Sequence, residues 1–164
     1  MNIAQDITTL STEVIDLCRA KGIKITTAES CTGGMIIAAL TDIAGSSDVV
    51  DRGFITYSNE AKCEMLGVRI EALSMHGAVS SPVATAMAEG AMKNSNAELT
   101  ISVTGIAGPG GGTFEKPVGT VYIATAYESD RTLYQKHFFN GDRTSIRQQT
   151  VLAAIHYLKA RITS

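Results

Sequence analysis

Three short β-prone runs, residues 23–27, 53–57 and 99–104, lead directly into segments rich in Gly, Ser, Asn or Thr. These segments are residues 28–34 (AESCTGG), 57–62 (YSNEAK) and 104–113 (TGIAGPGGGT). In open α/β sheets ligands bind outside the carboxyl ends of the strands. If the three strands run parallel, all three segments share one rim, and a common site there is physically reasonable.

The rest of the chain supplies helices between those strands. Ile3, Ile7, Leu10, Val14, Leu17 and Cys18 recur at three- and four-residue intervals, the stripe of an amphipathic helix that Gly22 ends. Met35 to Leu40 form a small, aliphatic run that predicts a buried helix starting at the glycine pair. Ser58-Asn59 and Ser81-Pro82 mark further helix starts, the second with Pro at the first helical position. Two strands are expected late, at 118–126 and about 132–139, followed by a helix capped by Asp142 with Ile146, Val151, Ala154, Ile155 and Leu158 facing inward. Early alternation followed by two adjacent strands predicts a three-layer α/β/α sandwich with a mixed central sheet. With no repeat or linker in sight, residues 1–164 are expected to form a single domain.

Composition removes several classes of function. A net charge of −2 leaves no basic surplus for a nucleic-acid backbone, and aromatics at 5% are too sparse for stacking along a strand. No apolar run approaches the roughly 20 residues that span a bilayer, and Met1 to Asp6 lack the basic start of a signal peptide. A soluble cytoplasmic protein is therefore expected, with neither membrane nor nucleic acid as partner. The apolar helices suit a buried core, and equally a homo-oligomer. Cys18, Cys31 and Cys63 have no CxxC spacing, and His76, His137 and His156 lie far apart, so no metal site and no cofactor are expected.

Residues 105–113 hold Gly105, Gly108, Gly110, Gly111 and Gly112. Glycine leaves backbone N–H groups uncovered, so this loop can wrap an anion, or serve simply as a flexible connection. It is neither a Walker A loop nor a GxGxxG turn. Arg143 and Arg147 lie in the first turns of the last helix, where the dipole disfavours cations unless an anion sits there too. Ser30 is the leading nucleophile candidate, with the N–H groups of Gly33 and Gly34 expected to hold an oxyanion. Its base has to be found without histidine. Lys62 can serve if burial lowers its pKa, with Tyr57 relaying a proton or fixing geometry, although a helix lysine is more commonly solvated. Cys31 is a rival nucleophile, and Glu29, either a general base or an acid near a helix N-terminus, is expected to be structural or orienting.

At "TAESCTGG", "YSNEAK", "HGAVS" and "VTGIAGPGGGTFEKPVGTVY" the chain closely resembles the C-terminal domain of the competence/damage-inducible CinA family. The four motifs run in order, and the resemblance covers nearly the whole chain. Stand-alone members are nicotinamide-nucleotide amidohydrolases. The resemblance thus implies hydrolysis of nicotinamide mononucleotide to nicotinic acid mononucleotide and ammonia, in pyridine-nucleotide salvage. It implies Ser30 as nucleophile with Tyr57 and Lys62 as activating partners. Gly33, Gly34, Thr104, Gly105 and the loop through Gly108, Gly110, Gly111, Gly112 and Thr113 would line the pocket, with Arg143 on the phosphate. Two-domain members carry an N-terminal module resembling molybdopterin-binding domains, whose pyrophosphatase activity is not carried over. The rival reading is a nucleotide-binding or competence-related module without turnover. A nucleotide phosphohydrolase lacks the acidic cluster needed to hold its metal.

Overall fold

The computed structural model describes residues 2–164. The chain begins with α1 (Ile3–Lys21), β1 (Ile25–Glu29) and α2 (Met35–Thr41), followed by β2 (Val50–Ile55), α3 (Asn59–Leu66), α4 (Ile70–His76) and α5 (Ser81–Lys93). It closes with β3 (Leu99–Gly105), β4 (Thr120–Tyr127), β5 (Asp130–Phe138) and α6 (Arg143–Thr163). The five strands form one mixed sheet in the order β2-β1-β3-β4-β5. β1 runs parallel to β2 and β3, whereas β4 is antiparallel to β3 and β5 to β4. Helices α1, α2 and α6 pack together over one face, and α3, α4 and α5 over the other, which makes the expected α/β/α sandwich. No helix among the described residues is long and apolar enough to cross a membrane.

The two faces of β3 show why the layers form. Leu99, Ile101 and Val103 enter the apolar core beneath α1 and α6, as the period of two requires. The alternate residues are small hydroxyls that bond to the α5 layer. Thr100 Oγ1 donates to Ala88 O at 2.7 Å, Ser102 Oγ to Ala84 O at 2.6 Å, and Thr104 Oγ1 to Ala78 O at 2.9 Å. Short side chains on both partners let α5 lie close to the sheet.

Gly90 continues that close packing on the other side of α5, where an added Cβ would run into the Leu66 carbonyl. Ala gains about 1 kcal/mol in helix propensity, but overlap with backbone cannot be relieved by a rotamer change and costs roughly 3 kcal/mol. Gly90→Ala is therefore expected to lower stability by about 2 kcal/mol, or roughly 4–8 °C in Tm for a chain of this size. Thermal unfolding checks this, and an unchanged or raised Tm would contradict it.

β1, β2, β4 and β5 are each displaced by one to three residues from their expected positions, and the shifts of β1 and β2 bear on the site. β1 starts at Ile25 because Gly22 caps α1 in the left-handed region and Ile23 N–H is still tied to Cys18 O. Its far end extends to Ala28 and Glu29 through pairing with Ser102 and Val103. β2 spans Val50–Ile55, so Thr56 and Tyr57 fall outside it. The α5 cap is Ser80, one residue earlier than expected, with Ser81 and Pro82 already helical.

Because β1, β2 and β3 are mutually parallel, their carboxyl ends share one rim. β5 runs in the same direction as β3, both being antiparallel to β4. The chain therefore leaves β5 at that rim, and α6 begins there.

Candidate active site

Ser30 follows β1 directly, and its N–H continues the sheet by donating to Val103 O at 3.1 Å. Gly33 then closes a turn onto Ser30 O at 3.1 Å, and Gly34 caps α2 with φ of 107°, a conformation that needs glycine. Glu29, fully buried, aims its carboxylate under this turn. It accepts from Thr32 Oγ1 at 2.6 Å and from the N–H groups of Gly34, Ile36 and Ile37 at 3.2, 2.9 and 3.0 Å. These bonds make Glu29 a structural part of the turn.

Lys62 comes from α3, whose start is fixed by Ser58 Oγ accepting from Ala61 N–H at 3.0 Å. The side chain turns inward and is 1% exposed. Its Nζ lies 3.0 Å from Ser30 Oγ and donates to Thr56 O at 2.9 Å and Tyr57 O at 3.4 Å. Those two carbonyls are available because both residues lie beyond the end of β2. No carboxylate forms an ion pair with Lys62 among the described residues. Burial pushes the amine below its ordinary 10.5. The bland alternative, a solvated helix lysine, does not apply here.

Ser30 and Lys62 face a cavity of about 270 Å³ whose walls also include Tyr57, Thr104, Gly105, Gly108, Gly110, Gly111 and Arg143. These nine sequence-selected residues come together. Four others do not line it: Gly33, Gly34, Gly112 and Thr113. The expected oxyanion role of Gly33 and Gly34 needs correction, because both N–H groups are already committed, to Ser30 O and to Glu29. The N–H groups of Cys31 and Thr32 have no acceptor among the described residues. Gly112 is packed against Val118, and Thr113 is engaged with Lys116 N–H and O. The glycine loop turns away from the cavity after Gly111.

Tyr57 is 63% exposed, and its hydroxyl accepts from Arg143 Nη2 at 3.1 Å, with no bond to Ser30 or to the Lys62 amine. Arg143 Nη1 donates to Gly108 O at 2.7 Å, so the guanidinium joins α6, the glycine loop and Tyr57 across the cavity mouth. Arg147 lies elsewhere than its position at the helix start suggests. Its Nε donates to Cys31 O at 3.0 Å and its Nη2 to Thr32 O at 3.3 Å, which ties it to the turn, and unlike Arg143 it does not line the cavity. Burial pushes the Cys31 thiol up to about 12, with the nearby Glu29 charge adding to it. The thiol therefore stays protonated and is a poor rival nucleophile.

Sequence reasoning missed Asn59, Ala78 and Val79 on the cavity wall, whereas Ile106 and Ala107, also on it, belong to the loop assigned to the pocket. All three missed residues lie inside the quoted motifs, Asn59 in "YSNEAK" and Ala78 and Val79 in "HGAVS", a signal that was available. Another cavity, of about 300 Å³, lies between β4, β5 and α6 and is lined by residues such as Ile123, Leu133 and Tyr157. It holds no nucleophile–base pair. No group of three His, Cys, Asp or Glu side chains placed to hold a metal occurs among the described residues.

The CinA C-terminal domain model matches residues 7–162. The chain is 50% identical over 149 residues to nicotinamide-nucleotide amidohydrolase PncC of Escherichia coli K12, covering 91% of this chain and 90% of that protein. It is 55% identical over 137 residues to a CinA-like protein of Syntrophobacter fumaroxidans, covering 84% of this chain and 32% of that longer protein. Among solved structures, competence/damage inducible protein CihA of Agrobacterium tumefaciens superposes with a TM-score of 0.94 at 49% identity. That match covers 97% of this chain and 96% of the other.

Proposed function

The chain belongs to the CinA C-terminal domain family, and from that membership and the cavity chemistry we propose that it is a nicotinamide-nucleotide amidohydrolase with Ser30 as nucleophile. The substrate is nicotinamide mononucleotide, and the products are nicotinic acid mononucleotide and ammonia. The observation that carries the mechanism is the 3.0 Å contact between Ser30 Oγ and the Nζ of a buried lysine that has no carboxylate partner.

A neutral Lys62 amine donates its two N–H groups to Thr56 O and Tyr57 O, which turns its lone pair toward Ser30. It accepts the hydroxyl proton as Oγ attacks the carboxamide carbon, and the carbonyl π electrons move to oxygen. The Cys31 N–H, adjacent to the nucleophile and without a backbone acceptor, receives that oxyanion in this scheme. Collapse of the intermediate breaks the C–N bond, and the Lys62 ammonium returns its proton to the leaving nitrogen, releasing ammonia. Water then gives a proton to the same amine and attacks the acyl carbon; the C–Oγ bond breaks, and the Lys62 ammonium returns the proton to Ser30 Oγ, which releases the carboxylic acid and restores both residues. Tyr57, linked to Arg143, shapes the mouth of the site.

Ammonia release from nicotinamide mononucleotide, with and without chelator, tests the activity. Rapid-quench mass spectrometry of the peptide containing Ser30 tests the acyl-enzyme. Tight nucleotide binding without ammonia would favour the non-catalytic module instead.

The phosphate is assigned to Arg143 and the N–H groups of Gly110 and Gly111. A charge-assisted bond to phosphate is worth about 1.5–3 kcal/mol, so Arg143→Met should lower kcat/KM for the nucleotide by roughly 10–100-fold, mainly through KM. The riboside, lacking phosphate, should be affected far less. Equal losses for both compounds would remove Arg143 from the phosphate.

A further inference from the structure

We propose that Glu29 and Arg147 are positioning residues that clamp the turn 30–34 from opposite sides and thereby set the Ser30–Lys62 contact. This rests on the reading of Ser30 as nucleophile and adds two residues that do not line the cavity. The turn needs an external hold, because Gly33 and Gly34 both sit at positive φ and impose little restraint of their own. Glu29 engages the donors of the turn, bonding to the Thr32 hydroxyl, to Gly34 N–H and to the first N–H groups of α2. Arg147 engages its acceptors, the carbonyls of Cys31 and Thr32.

The manner of capping distinguishes this device from routine helix capping. Helices α1, α3, α5 and α6 are each capped by the side chain of the residue just before them: Asn2, Ser58, Ser80 and Asp142. α2 has Gly34 at that position and no side-chain cap of its own. Its N–H groups are served from the last residue of β1, the residue immediately before Ser30. The carboxylate thus ties the sheet, the nucleophile and the helix start together, while Arg147 ties the same turn to α6. A displacement of about 1 Å at a reacting atom can cost on the order of 100-fold in rate.

The test uses Glu29→Gln, Arg147→Met and Arg147→Lys. Gln retains the shape of Glu29 but turns an NH₂ toward donors that the second carboxylate oxygen now accepts. In folded protein, Glu29→Gln and Arg147→Met should each lower kcat by roughly 10–100-fold with KM changed by less than about twofold. Arg147→Lys, which keeps one donor, should recover part of that loss. Labelling of Ser30 by a fluorophosphonate should slow in parallel with kcat yet run to completion. A kcat within about threefold of wild type in both variants would overturn the proposal. So would a loss explained by a smaller labelled fraction working at the wild-type rate, which is the signature of partial misfolding. If wild-type Ser30 resists labelling and Ser30→Ala still releases ammonia, the nucleophile assignment fails, and the clamp proposal fails with it.

Discussion

Ser30→Ala is expected to lower ammonia release from nicotinamide mononucleotide by roughly 10³–10⁶-fold, the range seen when a covalent nucleophile is removed from a serine hydrolase. Nothing nearby can substitute efficiently. Cys31 adjoins Ser30, but its thiol is held protonated by burial, with a pKa pushed up to about 12. Thr32 Oγ1 is bonded to Glu29 at 2.6 Å, on the far side of the turn from the cavity. The loss should appear in kcat, because the hydroxyl contributes little to nucleotide binding, and calorimetric titration of the nucleotide should give a Kd close to that of the wild type. The variant should also fold normally, since Ser30 is held by its backbone. Activity within tenfold of wild type would remove Ser30 from the reaction.

Lys62→Met should lower kcat by about 10²–10⁴-fold, the usual contribution of a general base. It should also remove the acid limb of the pH–rate profile. That limb is set by Lys62 becoming neutral, so wild-type activity rises with pH through a value below 10.5. Stability responds to the same titration. Below the folded-state pKa, the amine is charged in both folded and unfolded chains, and the fold bears the full cost of burying an ammonium. Between that value and 10.5, the unfolded chain binds more protons than the folded one, so stability rises with pH. Above 10.5 both are neutral and the gain levels off. Lys62→Met lacks this rise, so denaturant titrations at several pH values should show the wild type gaining on the variant only as pH increases toward 10.5. A constant difference across that range would mean that Lys62 is not perturbed as described.

The candidate site was legible in outline because its parts are short and local. Ser30 stands out for its place between a β-prone run and a glycine pair, and the 105–113 glycines stand out as a loop that can approach a ligand. Lys62 was ambiguous, since a lysine in the first turns of a helix is ordinarily solvated. What resolves it is contact with Ser30, 32 residues away, together with two carbonyls freed by the early end of β2. The same limit explains the errors. Gly33 and Gly34 look like free N–H donors until Glu29 and the turn itself are seen to occupy them. Arg147 looks like an anion ligand until its guanidinium is found on Cys31 O, 116 residues away, and off the cavity wall.

By itself the sequence determined the periods of the helices and strands, the caps at Gly22, Ser58 and Asp142 and the order of the three strand-end segments. These follow from side chains acting on near neighbours, through sterics, alternation and local hydrogen bonds. The tertiary structure alone decided the strand order β2-β1-β3-β4-β5 and the burial of the Lys62 amine. It also decided which polar groups around Ser30 still have an unused hydrogen-bond position. Each backbone or side-chain polar group has few such positions, and distant residues compete for them. Chemistry that depends on a free N–H or a desolvated amine is therefore fixed only when the whole chain has packed.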